Sequence, residues 1–244
     1  GFNVPAAVKF DSMGRLHILD TGSGDVIRRE EDGKQTVIAT LSTGLDNFAF
    51  DDADNLFVSS YADGFISKVT SSGVEEILPG GISHPGALVI HNDTVVIADI
   101  QSVRAIDAAT GEDIWTLRNI FQFAPIGTAT AVSNHGPDLL LTSWLDNSVK
   151  VLNPTSGEIT LSLTGLNIPV SAVKFGDQYA VTLHGDNTLS LFNDDGSLVS
   201  VLSDDFGAPT HVITKGDRLL VSDRVRGEIV SINEAGKKTV LLDG

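Results

Sequence analysis

Short apolar runs of four or five residues, each closed by a polar turn, recur along the whole chain. In the first unit Ala7-Val8-Lys9-Phe10, Leu16-His17-Ile18-Leu19, Asp25-Val26-Ile27-Arg28 and Gln35-Thr36-Val37-Ile38-Ala39 read as strands A, B, C and D. Asp11-Ser12-Met13-Gly14 and Glu31-Asp32-Gly33-Lys34 have the composition of hairpin turns. No stretch carries a 3.6-residue apolar period, so the pattern predicts an all-β fold.

The unit repeats. Apolar strands end at Asp20, Ser60, Asp99, Trp144, His184 and Asp223, with steps, by subtraction, of 40, 39, 45, 40 and 39. A turn glycine recurs at Gly33, Gly73, Gly111, Gly157, Gly196 and Gly236, with steps of 40, 38, 46, 39 and 40. Both anchors lengthen in the fourth unit, which places a small insertion near Asn134-His135-Gly136-Pro137. Six tandem units of four antiparallel strands predict a six-bladed β-propeller filling one domain, with blades at about 1–41, 42–80, 81–120, 121–165, 166–204 and 205–244. A lone four-stranded sheet cannot bury both faces; six packed radially cover one another. No strand is left over to complete a blade from both ends. The ring therefore closes by packing alone, or further sequence belongs to a longer parent chain.

Composition narrows the function classes. With 41% hydrophobic residues the chain has material for a core, and no apolar run is long enough to cross a bilayer, so membrane insertion is not expected. The formal net charge of −16 repels phosphate backbones and argues against nucleic acid as a partner. Such acidity serves solubility, or attracts cations. Cysteine is absent, which removes disulfides, thiol catalysis and Cys-ligated zinc and fits an exported (periplasmic or extracellular) protein.

Leu16-His17-Ile18-Leu19-Asp20-Thr21-Gly22-Ser23-Gly24 resembles the LYVADTGNNRI pattern of NHL repeats, and Ala49-Phe50-Asp51-Asp52-Ala53-Asp54-Asn55-Leu56-Phe57-Val58-Ser59 and Leu219-Leu220-Val221-Ser222-Asp223 are similar. The resemblance extends to the gluconolactonase (senescence-marker-protein) superfamily and covers all six units. It implies the propeller fold; for activity it implies lactonase, lyase or pure binding. The lactonases hold a divalent cation on acidic and amide residues at the start of strand A. The corresponding residues are Ala6, Asp46, Gly86, Ala129, Ser171 and Thr210, among which Asp46 alone suits a cation. Asp107-Ala108-Ala109-Thr110-Gly111-Glu112-Asp113-Ile114-Trp115 resembles a quinoprotein blade in one unit, where Trp115 reads more simply as a packing residue.

The starts of strands A and the ends of strands B converge on one mouth of the central channel, the expected site for a small molecule, a peptide or a partner loop. Strand A contributes Ala7, Asn47, Ala87, Thr130, Ala172 and His211; strand B contributes Asp20, Ser60, Asp99, Trp144, His184 and Asp223; Tyr61, Gln101, Asp146, Asp186, Arg224 and Arg226 follow. Asn47, Tyr61, Asp99, Trp144 and Asp20 are the candidate ligand-binding residues, Trp144 by stacking. Asp20, Asp99 and Asp223 also suit a structural role, accepting hydrogen bonds from the following turn. His184, His211 and Asp223 come from adjacent blades. They form a candidate site for one divalent metal ion, or a catalytic base with its orienting partner, with Arg224 steadying an anion. His84, before Pro85, reaches toward the same mouth, whereas His91 and His135 fall at the opposite end. Three readings follow: a recognition propeller, a metal- or His-dependent hydrolase or lyase, and a structural module of a larger exported protein.

Overall fold

A computed structural model describes residues 2–30, 32–119 and 126–242. Gly1, Glu31 of the first C–D turn and the blade boundary expected at 120–121 lie outside them. The described chain forms six four-stranded antiparallel sheets. Blade 1 is β1–β4 (Pro5–Phe10, Leu16–Asp20, Asp25–Arg29, Gln35–Thr40) and blade 2 is β5–β8 (Leu45–Phe50, Leu56–Ser60, Phe65–Thr70, Gly73–Leu78). Blade 3 is β9–β12 (Pro85–His91, Thr94–Asp99, Ser102–Asp107, Asp113–Arg118) and blade 4 is β13–β16 (Ala131–His135, Asp138–Ser143, Ser148–Leu152, Ile159–Thr164). Blade 5 is β17–β20 (Pro169–Phe175, Gln178–Leu183, Thr188–Phe192, Leu198–Ser203) and blade 6 is β21–β24 (Pro209–Lys215, Arg218–Asp223, Glu228–Asn233, Lys238–Leu242). This is a six-bladed β-propeller.

The apolar pattern follows from position in the blade. Second strands such as Leu16–Asp20 and Leu56–Ser60 are buried on both faces, so they lack alternation, whereas the outermost strands keep one wet face. The buried apolar residues gather into six clusters, one at each blade interface. In blade 1, Ala7, Leu19 and Val26 meet Phe48 and Val58 of blade 2, while Val8, Ile18 and Ile27 meet Leu220 and Ile229 of blade 6. Trp115 packs half-buried against the cluster between blades 3 and 4. The closing interface is thus built like the other five. It is also hydrogen-bonded: Thr210 Oγ1 and Ser222 Oγ donate to the Ala6 carbonyl at 3.2 and 3.1 Å, and the Val8 N–H donates to His211 Nδ1 at 3.3 Å.

Two sequence expectations are corrected. The A–B hairpin of blade 4 is tight, with His135 opposite Asp138, so the fourth unit's extra length does not lie at 134–137. It falls between Arg118 and Ala131, a connection longer than any other between blades.

Blades 4 and 5 also differ from the expectation in phase. β2 ends at Asp20, opposite Asp25; the same rung is Ser143 opposite Ser148 in blade 4 and Leu183 opposite Thr188 in blade 5. Trp144 and His184 therefore stand one residue beyond the position of Asp20. They match Thr21, Tyr61, Ile100 and Arg224. The backbone agrees, since the N–H groups of Thr21, His184 and Arg224 donate to Val4, Ile168 and Ala208, each the residue before its inner strand. Register also resets the inner-strand ring, one residue forward in blade 4, from Ala129 to Thr130, and one residue back in blade 5, from Ser171 to Val170.

Candidate functional site

Each inner strand enters the ring through a kink. In five blades the register skips at the start of the strand, as between Pro5 and Ala7 or Leu45 and Asn47. Such a bulge turns one residue toward the axis. The residues so placed are Ala6, Asp46, Gly86, Val170 and Thr210, joined by Thr130 of blade 4, and all six line one funnel of about 450 Å³ at the channel mouth. That volume suits a small organic molecule. Gly86 is needed there: a Cβ would lie 2.1 Å from the Thr130 carbonyl oxygen and 3.7 Å from Asp46 Oδ2.

Asn47, Ala87, Ala131 and His211, which follow the ring along the inner strands, line the funnel too, and Thr21, Tyr61, Ile100, Trp144 and Arg224 complete it from the ends of the second strands, with His84 beside Tyr61 at 4.9 Å between ring centroids. The funnel is two-sided. Blades 6, 1 and 2 supply Arg224, His211, Thr210, Thr21, Asp46 and Asn47 beside Ala6 and Leu45; blades 3, 4 and 5 supply Gly86, Ala87, Ile100, Trp144 and Val170, with His84 and Thr130 as their polar members.

Of the residues singled out in the sequence, Asn47, Tyr61, Trp144, His211 and Arg224 come together in this funnel. Asp20, Asp99 and Asp223 do not line it. Their buried carboxylates point back into the chain. Asp20 accepts from the N–H groups of Asn3, Val4 and Gly22, and Asp99 from those of Ser83, His84 and Gln101. Asp223 accepts from Gly207, Ala208, Val225 and Arg226. Each clamps the end of a second strand to the connection entering its own blade. His184 is exposed at the rim and outside the lining.

The proposed metal set does not assemble. Asp223 is fully buried in its clamp, His184 lies at the rim, and among the described residues no three His, Cys, Asp or Glu side chains converge. His211 is unsuited for a further reason. Its Nδ1 accepts the Val8 N–H, so the neutral ring carries its proton on Nε2 and presents a donor rather than a lone pair. Burial, reinforced by the nearby Lys9 ammonium, holds His211 well below the usual histidine range. Lys9 is itself pushed down to about 8 by burial. The inner ring, with Asp46 as its single carboxylate, does not fit the lactonase cation either.

Asp46 departs from Asp20, Asp99 and Asp223. It receives no hydrogen bond from the described residues, and its Oδ2 hangs beside Gly86, which has no side chain to offer. Desolvation raises its pKa to about 6, against a smaller opposing pull from Arg224. The sequence comparison of inner-strand positions picked out Asp46 as a cation ligand; its isolation from donors could not be read there. For Trp144 and His184 a signal was present. Gly24, Gly64, Asn147, Asn187 and Gly227 all have positive φ, four residues after the end of the second strand. Aligning these Gly and Asn residues sets the phase of blades 4 and 5.

Comparison with protein-family models and with curated proteins finds no match. Solved structures do match. Selenomethionine-substituted virginiamycin B lyase from Staphylococcus aureus superposes with a TM-score of 0.74 and 14% identity over 98% of this chain and 84% of that one. A catalytically inactive variant of that lyase, solved with quinupristin, gives 0.74 and 13% over 97% and 83%. A streptogramin B lyase gives 0.74 and 11% over 98% and 83%. The likeness is one of fold.

Proposed function

We propose that this propeller binds a small amphipathic molecule in the funnel at its channel mouth. The observation that carries this reading is the division of the lining: an apolar wall of Trp144, Ile100 and Val170 faces polar groups from Asp46, Asn47, Thr210 and His211. An apolar surface beside a few convergent polar groups is what a small-molecule site needs for affinity and orientation. Trp144 and Tyr61 are 39% and 38% exposed, so both rings have area left for a ligand to cover.

Trp144 also provides the assay. The chain has two tryptophans, and Trp115→Phe leaves Trp144 as the sole reporter. A chemically diverse fragment library is expected to yield compounds that change Trp144 emission and whose binding, followed by calorimetry, weakens about 10-fold or more in Trp144→Ala. A library in which no compound binds, or whose binders ignore both Trp144→Ala and Asp46→Asn, overturns the reading.

A lyase or hydrolase reading has one specific support. A carboxylate with a pKa of about 6 and a guanidinium share the funnel, which suits a general base beside a group that stabilises a developing anion. The solved neighbours are named as lyases, so elimination is the reaction to test first. Turnover lost by more than about 100-fold in Asp46→Asn, with ligand binding retained, would favour catalysis over binding alone.

A further inference from the structure

Two opposite charges face the funnel, and neither has a partner among the described residues. Asp46 accepts no hydrogen bond, whereas its neighbours Asp20, Asp99 and Asp223 are saturated by backbone N–H groups. Arg224 makes no ion pair, whereas Arg226, two residues on, is held by Asp205 at 2.5 Å and by the Asp205 carbonyl at 3.0 Å. Asp46 belongs to blade 2 and Arg224 to blade 6. Between them blade 1 contributes Ala6 to the inner ring and Thr21, whose hydroxyl is committed to the Leu45 carbonyl. The two charges are near enough for Arg224 to lower the pKa of Asp46, yet they do not close into an ion pair.

An unpaired carboxylate and an unpaired guanidinium in one cavity form a fixed dipole, and a ligand that carries the opposite dipole satisfies both. The geometry points to a zwitterionic ligand, an amino acid or short peptide with an apolar or aromatic side chain. Its ammonium is held by Asp46, its carboxylate by Arg224, and its side chain lies against Trp144. This inference rests on the small-molecule reading above and names the ligand class. The charge of the whole molecule agrees with it: a net anion meets a protein of charge −16, whereas a zwitterion carries no net charge to be repelled.

The probes are phenylalanine, Phe-Gly and Phe-Gly-Gly, each compared with its N-acetylated and C-amidated forms by calorimetry on the full chain and by Trp144 emission in the Trp115→Phe background. The series varies the distance between the two charges, so the best binder reports the span from Asp46 to Arg224. That member is expected to lose about 10-fold or more in affinity on either single blocking, as for a charge-assisted hydrogen bond. In Asp46→Asn the penalty for acetylation is expected to vanish while that for amidation remains; in Arg224→Gln the reverse holds. Circular dichroism of both variants checks that the fold is intact. Blocked forms that bind as well as the free zwitterion overturn the ligand class and leave a small-molecule site. Failure of the whole series at 10 mM, on the order of the weakest measurable affinity, also overturns it, and the fragment library then decides the site itself.

Discussion

Asp223 and Asp46 stand at the same end of the ring and do opposite work. Asp223 is fully buried and accepts four backbone N–H groups, so removing its carboxylate leaves all four without their acceptor, the Ala208 N–H among them in a buried position. Asp223→Ala is expected to cost about 3 kcal/mol, read as a lower urea midpoint, because unsatisfied buried donors are costly. Asp46 has no such donors, and burial raises its folded pKa from the usual carboxylate range to about 6. Its contribution to stability is present below the unfolded pKa and is lost as pH rises through 6. Asp46→Asn should therefore stabilise the protein at pH 7 by about 1 kcal/mol, a figure reduced for solvent at the open mouth, while weakening ligand binding. His211 acts in the other sense. Its folded pKa lies well below 6.5, so stability is present above that value and falls as the unfolded chain takes up a proton at lower pH. Melting curves from pH 7 to 4 are expected to show a steeper acid loss in Asp46→Asn than in the parent, and a shallower one in His211→Gln. Equal slopes in all three would refute the assignment.

At the scale of the blade, hydroxyls on the second strands stitch neighbours together. Ser59 Oγ donates to the Gly86 carbonyl at 2.7 Å, Thr182 Oγ1 to that of Thr210 at 3.1 Å and Ser222 Oγ to that of Ala6 at 3.1 Å, and all three residues are fully buried. Ser222→Ala removes one stitch at the closing interface and is expected to cost about 1–2 kcal/mol in urea unfolding. An equal cost for Ser59→Ala would show that the closing interface is no weaker than the others; a much larger cost for Ser222→Ala would mark it as the weak joint. The strands themselves were legible in the sequence, because apolar runs bounded by Gly, Asn and Asp turns are local signals. The phase of blades 4 and 5 is not legible from the apolar runs alone, because Trp144 and His184 close such runs much as Asp20 does. Cross-strand register, which pairs Ser143 with Ser148 and Leu183 with Thr188, decides otherwise.

At the scale of the molecule, six similar apolar interfaces hold a ring whose surface is strongly acidic. Self-repulsion among these charges opposes compaction and is screened by salt. Raising sodium chloride from about 10 mM to about 0.5 M is expected to raise Tm by a few degrees, and a flat or falling Tm would show that local ion pairs outweigh the net field. The sequence by itself determined the number of blades, the four strands in each and the end of the ring where strand termini meet. Those features rest on period and turn chemistry, which neighbours along the chain encode. Only the tertiary structure decided which of the acidic groups at that end are free. Whether a carboxylate is saturated, as in Asp20, Asp99 and Asp223, or left bare, as in Asp46, depends on which backbone N–H groups the adjoining connection brings within reach. That is a matter of three-dimensional approach, to which an aspartate codon at a repeat position is blind.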